Sequence, residues 1–395
     1  MRKISADYIF TISTDPIKNG VITIDKVGTI LNVEHPDINN SEMVEHFEGV
    51  ICPGFINSHC HLELSHLQNE VSENTGMTGF ITELIGKRFN YPEEKIEQAI
   101  IAAETKMIKN GIVAVGDISN KNSTFKQKSK GELLYHTFIE IFSLDPNKAE
   151  EVFNTGRKLS NELSDLNLSN SIVPHAPYTM SEKLLTLINE YASKNNSLLS
   201  IHNQESAGES ELFISQSGSM FDTFKSMGIN TDLMRKTGLN SLKSTLPFLK
   251  DAEKLQLVHN TYSSLEDIRW AISKDSGRKT SDVYWCTCPN ANMYIENKLP
   301  DYNLFIQENA KLTIGTDSLA SNWSLSILDE IKTITKHFPE IPLQTLLTWA
   351  TKNGANFLKF DHLGVIEKGK KPGLNLLTNL ENLKISDKTD VIKII

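Results

Sequence analysis

The sequence predicts an α/β fold, a (β/α)8 TIM barrel with a small discontinuous β-sandwich domain formed by both termini. Eight short apolar runs alternate with amphipathic stretches through the middle of the chain, which is the pattern of βα units on a parallel sheet. Runs of β type without a helical pattern occupy both ends. The chain has 395 residues and one barrel needs roughly 250, so material for a further small domain remains.

The terminal β-type runs are short and are separated by turn residues. At the front they are residues 7–12, 20–24 and 29–33, and Lys26, Val27 and Gly28 predict a hairpin between the last two. At the back they are residues 364–369, 374–377 and 391–395. We therefore expect residues 1–52 and 363–395 to form one composite β-domain and residues 53–362 to form the barrel.

The middle of the chain supplies the predicted barrel strands and helices. The strands are residues 54–61, 112–119, 135–142, 172–179, 198–206, 255–261, 283–289 and 312–318. Amphipathic stretches at 95–109, 182–194 and 264–274 have helical spacing. The polar stretch 119–131 predicts a mobile loop after the second strand.

Composition and charge narrow the class of protein. Lys and Arg number 40 and Asp and Glu 49, for a net charge of −9, which argues against a nucleic-acid binder. No run approaches the roughly 20 apolar residues of a membrane span, and Asp7 interrupts the start before any signal-like stretch. Four cysteines are too few for a disulfide scaffold. We therefore expect a cytoplasmic protein, and a homodimer is compatible with these features.

The histidines are concentrated where a barrel builds its active site. Five of the 11 fall at the predicted carboxyl ends of strands, where active sites of such barrels lie, and Asp317 has the same position on the eighth strand. These histidines are His59, His61, His175, His202 and His259.

The spacing of these residues predicts a metal site. His59 and His61 are two apart on a strand, so their imidazoles project to the same side. His202 and Asp317 would complete a set of three histidines and one carboxylate. Nitrogen and oxygen ligands of this kind suit Zn²⁺, with Fe²⁺ as the alternative.

Five motifs lie at or near the predicted strand ends: PGFINSHCH at 53–61, PHAPYT at 174–179, HNQE at 202–205, VHN at 258–260 and GTDS at 315–318. Together they resemble the amidohydrolase superfamily, and within it the branch of cytosine deaminase, adenosylhomocysteine deaminase and the chlorohydrolases. The strand-4 motif ends in His175-Ala176-Pro177 and lacks the bridging lysine or glutamate of binuclear members, so the resemblance implies one divalent metal ion. Its ligands by analogy are His59, His61, His202 and Asp317.

The resemblance also implies catalytic roles. In such deaminases the glutamate that corresponds to Glu205 protonates a ring nitrogen while hydroxide attacks the adjacent carbon, and ammonia then leaves. Asp317 would take a proton from the attacking water, and His259 would orient the hydroxide and stabilise the intermediate. His175 would contact the substrate or support the site from behind. Cys286 and Cys288 are expected to pack in the core rather than bind metal.

The substrate is predicted from a shorter motif. Leu62-Glu63-Leu64-Ser65 resembles the aminofutalosine deaminase-like group. Glu63 continues the alternation of His59 and His61, so it either reaches substrate or holds loop amides. Glu209 either binds a sugar hydroxyl or favours a helix N-terminus.

The leading hypothesis is a hydrolytic deaminase of an aminopurine nucleoside or related N-heterocycle, with 6-amino-6-deoxyfutalosine as the named candidate. One alternative is a hydrolase of the same superfamily that cleaves a C–Cl or cyclic amide bond. Another is a non-catalytic metal-binding protein.

Overall fold

The computed structural model describes residues 1–35, 44–278 and 282–395. The strands are β1 Arg2–Ile9, β2 Ile17–Lys18, β3 Val21–Ile24, β4 Ile30–Glu34, β5 Glu45–Pro53, β6 Phe55–Cys60, β7 Ile112–Ser119, β8 Leu134–Ile141, β9 Ser169–Pro174, β10 Leu198–Asn203, β11 Lys254–His259, β12 Val283–Thr287, β13 Lys311–Ile314, β14 Leu374–Thr378 and β15 Asp390–Lys393. The helices are α1 Gly76–Lys87, α2 Glu93–Lys109, α3 Phe125–Lys128, α4 Ala149–Asp165, α5 Glu182–Asn195, α6 Ala207–Ser215, α7 Ser219–Ser226, α8 Ser241–Thr245, α9 Leu265–Ile272, α10 Pro289–Glu296, α11 Tyr302–Gln307, α12 Ile327–His337, α13 Leu343–Thr348 and α14 Gly354–Leu358.

Both ends of the chain contribute to one mixed sheet. Its order is β15-β14-β5-β1-β3-β4, with β2 paired to β1. The central strand β5 runs parallel to β1 and antiparallel to β14, which joins the N-terminal and C-terminal segments. The arrangement of these segments as a two-layer sandwich stays a prediction.

Two features of this sheet differ from the sequence analysis. The central strand β5 was not assigned, because Glu45, His46, Glu48 and Gly49 dilute its apolar pattern. Residues 364–369 form turns instead of the expected strand, since the glycines at both ends have φ of +81° and +85°. The segment still meets the sheet, where the Ile366 amide donates to the Thr11 carbonyl at 2.9 Å.

The middle of the chain forms two four-stranded parallel sheets, β6-β7-β8-β9 and β10-β11-β12-β13. Each of the eight predicted runs overlaps one of these strands, so the α/β class with parallel strands is confirmed. Parallel neighbours need crossover connections, and helices such as α2, α4 and α9 supply them.

Helix α5 shows how the sequence sets these elements. The Ser181 hydroxyl accepts a hydrogen bond from the Leu184 amide at 3.4 Å, which caps the first turn. Leu184, Ile188 and Ala192 recur at intervals of four and are buried, so one face of the helix packs on the core. Asn196 ends the helix in the left-handed conformation.

The two parallel sheets approach each other at both of their edges. Next to β6, the amides of Thr316 and Asp317 donate to the His59 carbonyl at 2.9 and 3.1 Å. Between β9 and β10, the His202 amide donates to the His175 carbonyl at 2.9 Å. These contacts bring the carboxyl ends of β6, β9, β10 and β13 close together.

Residues 119–131, expected as a mobile loop, contain the short helix α3 and a buried ion pair. Lys128 Nζ lies 2.6 Å from Asp117 Oδ2 and both side chains have no exposed surface. The polar composition concealed this pairing, because the partner carboxylate comes from β7. Among the described residues, no helix combines the length and apolar character that crossing a bilayer requires.

Candidate functional site

The side chains predicted to bind metal meet at the carboxyl ends of the strands. His59 lies on β6 and His61 directly after it, His202 lies on β10, and Asp317 follows β13. The His59 and His61 rings have centroids 4.9 Å apart, and the His202 ring lies 5.0 Å from His59 and 5.4 Å from His61. His259, the last residue of β11, adds a fourth ring 5.5 Å from His202.

Nitrogen and oxygen atoms of this cluster point at one another. His59 Nε2 and His61 Nε2 are 3.1 Å apart. Asp317 Oδ1 lies 3.5 Å from His59 Nε2 and 3.3 Å from His61 Nε2. Ligand atoms of His59, His202, His259 and Asp317 all lie within 4.8 Å of one another.

Hydrogen bonds fix the tautomers of two rings. His202 Nδ1 lies 2.8 Å from the carbonyl oxygen of His175, which can only accept, so Nδ1 carries the proton. His259 Nδ1 donates in the same way to Asn292 Oδ1 at 2.9 Å. In both neutral rings the Nε2 lone pair is left for the cluster, as in metal-binding histidines generally.

Burial sets the charges in the cluster. It lowers the pKa of His61 well below the usual range, that of His202 to about 3 and that of His259 to about 4, so these rings are neutral at pH 7. Burial alone would raise the pKa of Asp317, but the His59 hydrogen bond and the nearby imidazoles hold it well below its usual range. Neutral imidazoles therefore surround one carboxylate.

This donor set fits a divalent cation. Two imidazole nitrogens 3.1 Å apart cannot both present lone pairs to each other without a proton or a cation between them. Three or four imidazole nitrogens and one carboxylate oxygen are the ligands that zinc prefers. The residues present thus suit the metal that the sequence predicts.

Glu205 lies just beyond β10 and faces the cluster. Its Oε1 is 3.5 Å from His259 Nε2. Burial raises the pKa of Glu205 well above its usual range, and the negative charges of Asp317 and Glu209 raise it further. A buried carboxyl group whose pKa is raised in this way is suited to general acid catalysis.

Glu209 lies behind Glu205 on α6 and holds the loop between them. Its Oε1 accepts from the Gln204 amide at 3.0 Å and its Oε2 from the Glu205 amide at 3.1 Å. Burial raises the pKa of Glu209 to about 7, against the effect of these hydrogen bonds. The carboxylate is therefore bound to backbone amides, and it does not line the cavity where substrate contact was predicted.

Glu63 also contacts the backbone. Its Oε2 lies 3.1 Å from the Asn120 amide and 3.3 Å from the Lys121 amide, and its Oε1 lies 3.8 Å from Arg88 Nη2. The strand alternation assumed for Glu63 ends at His61, because residues Leu62–Leu67 form a 3-10 turn. Glu63 thus lines a neighbouring cavity of about 530 Å³. Its contacts with the amides of Asn120 and Lys121 agree with the second of the two predictions, in which this carboxylate holds loop amides.

A cavity of about 480 Å³ opens above the cluster. His61, His202, His259, Asp317 and Glu205 contribute to its lining, together with His175, whose pKa burial lowers to about 4. Its walls are largely apolar and come from α1, α7 and their neighbours, with Met77, Phe80, Ile81, Leu84, Phe224 and Met234 among the lining residues. The polar cluster on one side of the cavity and its apolar walls suit a flat heterocycle that presents a polar edge to the cluster.

Arg88, Asn120 and Glu140 are among the polar lining residues that the sequence analysis does not single out. Glu140 lies at the end of β8, so the rule that singled out histidines at strand ends could have found it. Arg88 and Asn120 lie in connecting segments, whose path the sequence pattern does not give.

Cys286 and Cys288 lie in an apolar cluster with Val258 and Ala291. Burial raises the pKa of the Cys288 thiol well above its usual range, and the side-chain hydrogen bond with Cys286 adds to this effect. Both residues are fully buried, as expected for cysteines that pack in a core.

The chain is similar in sequence and in structure to several known proteins. An adenosine deaminase of Helicobacter pylori is 28% identical over 371 residues, covering 90% of this chain and 86% of its own. The crystal structure of the aminofutalosine deaminase of H. pylori in complex with methylthio-coformycin has a TM-score of 0.79 at 23% identity, covering 98% and 94% of the two chains. An adenosine deaminase of Xanthomonas campestris with bound zinc has a TM-score of 0.72 at 20% identity, covering 95% and 84%.

These structural likenesses show a shared α/β fold. The sequence model of the amidohydrolase family matches residues 50–394, a range that begins within strand β5 of the terminal sheet. Because this match spans most of the sequence, the protein belongs to the amidohydrolase family.

Proposed function

We infer that the protein is a hydrolytic deaminase that releases ammonia from an aminopurine nucleoside. The observation that carries this inference is the position of Glu205, a buried carboxyl group with a raised pKa, 3.5 Å from His259 beside the histidine and aspartate cluster. A proton donor at this place is what hydrolysis of the bond between a ring carbon and its exocyclic amine requires, because the leaving amine and the adjacent ring nitrogen both need protons.

His59, His61, His202 and Asp317 would hold one zinc ion, and His259 lies close enough to contribute. When bound, such an ion lowers the pKa of a water molecule toward about 7 and so supplies a nucleophile at neutral pH. The zinc bound by the Xanthomonas relative supports this choice of metal.

The side chains of the site then divide the proton transfers. Asp317 is ionised, accepts one proton of the attacking water and passes it to the amine, which leaves as ammonia. Glu205 Oε1 donates a proton to the ring nitrogen beside the carbon that bears the amine, and regains one from the new hydroxyl group as the bond to the amine breaks. His259, whose Nδ1 is held by Asn292, presents Nε2 to the reacting oxygen and keeps it in place. His175, whose ring lies 4.9 Å from that of His202 and lines the cavity, would contact the ring of the substrate.

The cavity supports a nucleoside as the substrate. Its volume of about 480 Å³ exceeds that of a purine base, and its apolar walls suit the ring faces. The H. pylori relatives are an adenosine deaminase and an aminofutalosine deaminase. With the Leu62-Glu63-Leu64-Ser65 motif, these names make 6-amino-6-deoxyfutalosine the leading individual candidate.

The architecture around the site is part of the proposal. We take the eight parallel strands to close into a TIM barrel over residues 53–362, with residues 1–52 and 363–395 as the composite β-domain. The hydrogen bonds from the amides of Thr316 and Asp317 to the His59 carbonyl, and from the His202 amide to the His175 carbonyl, support closure.

A substrate screen tests the function. The zinc-loaded protein would be incubated separately with adenosine, 5′-deoxyadenosine, 5′-methylthioadenosine, adenosylhomocysteine, 6-amino-6-deoxyfutalosine and guanine, with ammonia and the product mass as readouts. We expect one ammonia per 6-oxo product from at least one nucleoside. Absence of ammonia across the panel from protein with bound metal would contradict the deaminase assignment.

A further inference from the structure

Glu140 is a buried carboxylate in the cavity that the catalytic scheme does not use. It lies at the end of β8, only 5% of its surface is exposed, and it lines the cavity above the cluster. Its Oε1 is buried and has no hydrogen-bond partner among the described residues. His202 Nδ1 lies 3.6 Å from this oxygen but already donates to the His175 carbonyl at 2.8 Å.

The other oxygen of Glu140 is held by the protein. Asn120 Nδ2 lies 3.0 Å from Glu140 Oε2 and 3.1 Å from the Glu140 carbonyl oxygen. The backbone amide of Asn120 in turn donates to Glu63 Oε2 at 3.1 Å. The chain Glu63–Asn120–Glu140 therefore fixes the carboxylate and leaves Oε1 as the acceptor for a ligand.

A second metal ion does not account for this oxygen. Ligand atoms of Glu140, His175 and His202 lie within 4.8 Å of one another, so the geometry alone admits a cation. His202, however, uses Nδ1 as a donor and presents Nε2 to the first cluster. Only two ligands would remain, and structural and catalytic zinc sites use three or four protein ligands.

A hydroxyl group of the substrate does account for it. Carboxylate oxygens are hydrogen-bond acceptors, so the ligand must bring a donor. In an aminopurine nucleoside the amino group faces the cluster and Glu205, and N3 and N7 of the ring are acceptors. The donors that remain are the sugar hydroxyls.

We propose that Glu140 is a specificity-determining residue that accepts a hydrogen bond from a hydroxyl of the nucleoside sugar. This assignment rests on the proposed deaminase function and specifies its substrate as a hydroxylated nucleoside rather than a free base or a deoxynucleoside. It also gives Glu63 a role, because Glu63 positions Asn120 and through it the Glu140 carboxylate.

The test pairs a variant with matched substrates. The ratio kcat/KM would be measured for wild type, Glu140→Gln and Glu140→Met with adenosine, 2′-deoxyadenosine and 3′-deoxyadenosine, alongside zinc content per chain. Glu132→Gln, an exposed carboxylate before the opposite end of the same strand, is the control. Glu140→Gln is the variant that controls for misfolding, because its side-chain amide keeps the shape of the carboxylate.

We expect Glu140→Met to lower kcat/KM for adenosine by about 10- to 100-fold, as for loss of a hydrogen bond to a charged group. For the deoxynucleoside that lacks the contacted hydroxyl, wild type and variant should agree within about twofold, because the interaction is already absent. Zinc content should be unchanged in both variants.

Three outcomes would overturn the assignment. The same loss with all three nucleosides would show that Glu140 does not contact a hydroxyl. Loss of zinc from Glu140→Gln would show that it supports His202 instead. If the zinc-loaded wild type deaminates no nucleoside, the proposed function itself fails and the assignment falls with it.

Discussion

The side chain of Asn292 holds His259 from behind, with Asn292 Oδ1 2.9 Å from His259 Nδ1. Asn292 lies on α10, one turn after Cys288-Pro289, and its side chain is buried. This contact turns Nε2 of His259 toward Glu205 and the cluster of histidines around Asp317. A group that never touches the substrate thus sets the tautomer on which the proposed chemistry depends.

Replacement of Asn292 should therefore impair turnover. Asn292→Leu removes the acceptor, and we expect kcat to fall by about 10- to 100-fold, as for other partners of metal-site histidines. Asn292→Asp keeps an oxygen opposite Nδ1 and should retain more activity than Asn292→Leu. Steady-state kinetics of the two variants provide the comparison, and equal activity in wild type and Asn292→Leu would rule out the orienting role.

Metal binding should depend on His202 and not on histidines elsewhere. We expect His202→Ala to lose bound zinc and the stabilisation that zinc gives, because a ligand that binds only the folded state raises its stability. His337→Ala is the control, since His337 is exposed on α12. Zinc content and the rise of Tm on zinc addition are the readouts. A full complement of zinc in His202→Ala would refute the ligand assignment.

The buried pair of Lys128 and Asp117 should be important for stability. Asp117 Oδ1 also accepts from the Leu62 amide at 2.8 Å, directly after His61. Lys128→Met leaves the carboxylate buried without its cation and should cost about 3–5 kcal/mol in the free energy of unfolding. Asp117→Asn combined with Lys128→Met should recover much of that loss.

Urea unfolding measures both effects of this pair. Lys126→Met serves as the control, because the ion pair of Lys126 with Glu97 is exposed and such pairs contribute about 1 kcal/mol or less. If Lys128→Met were no less stable than Lys126→Met, the buried pair would not have the structural importance given to it here.

The raised pKa of Glu209 predicts a pH-dependent stability. In the folded protein its carboxyl group keeps a proton up to about pH 7, whereas the unfolded chain releases it near 4.5. Between these values the folded state binds more protons, so stability falls as the pH rises, by about 1.4 kcal/mol per pH unit. Glu209→Gln carries no titrating group and should lack this contribution.

Urea unfolding of wild type and Glu209→Gln at pH 5, 6 and 7 checks this dependence. The stability of wild type relative to the variant should decrease steadily over this range. Glu211→Gln, which alters an exposed carboxylate on the same helix, should follow wild type. Curves that stay parallel for wild type and Glu209→Gln would contradict the raised pKa.

The sequence predicts the centre of the site better than its surroundings. His59, His61, His202, His259 and Asp317 follow strand ends, and parallel strands bring their ends to one edge, so their convergence could be foreseen. Local periodicity is enough for this inference because each residue is placed by its own strand.

The roles of Glu63, Glu209 and Glu140 depend on contacts that the sequence pattern does not record. Glu63 meets the amide of Asn120, and Glu140 meets the side chain of the same residue. No periodic pattern shows which amide lies opposite a carboxylate after a loop has turned. The strand β5 was missed for a related reason, since it is buried by its neighbours and not by an alternating pattern of its own.

Zinc content and ammonia release of Glu205→Gln, measured on the same sample, test the central claim most directly. The substituted amide would keep the size of the side chain but could not transfer a proton, and general acid–base groups contribute about 10²- to 10⁴-fold. Glu211→Gln is the matched control. We predict that Glu205→Gln binds as much zinc as wild type and releases ammonia at least about 100-fold more slowly. Ammonia release at the wild-type rate from the zinc-loaded variant would contradict the account.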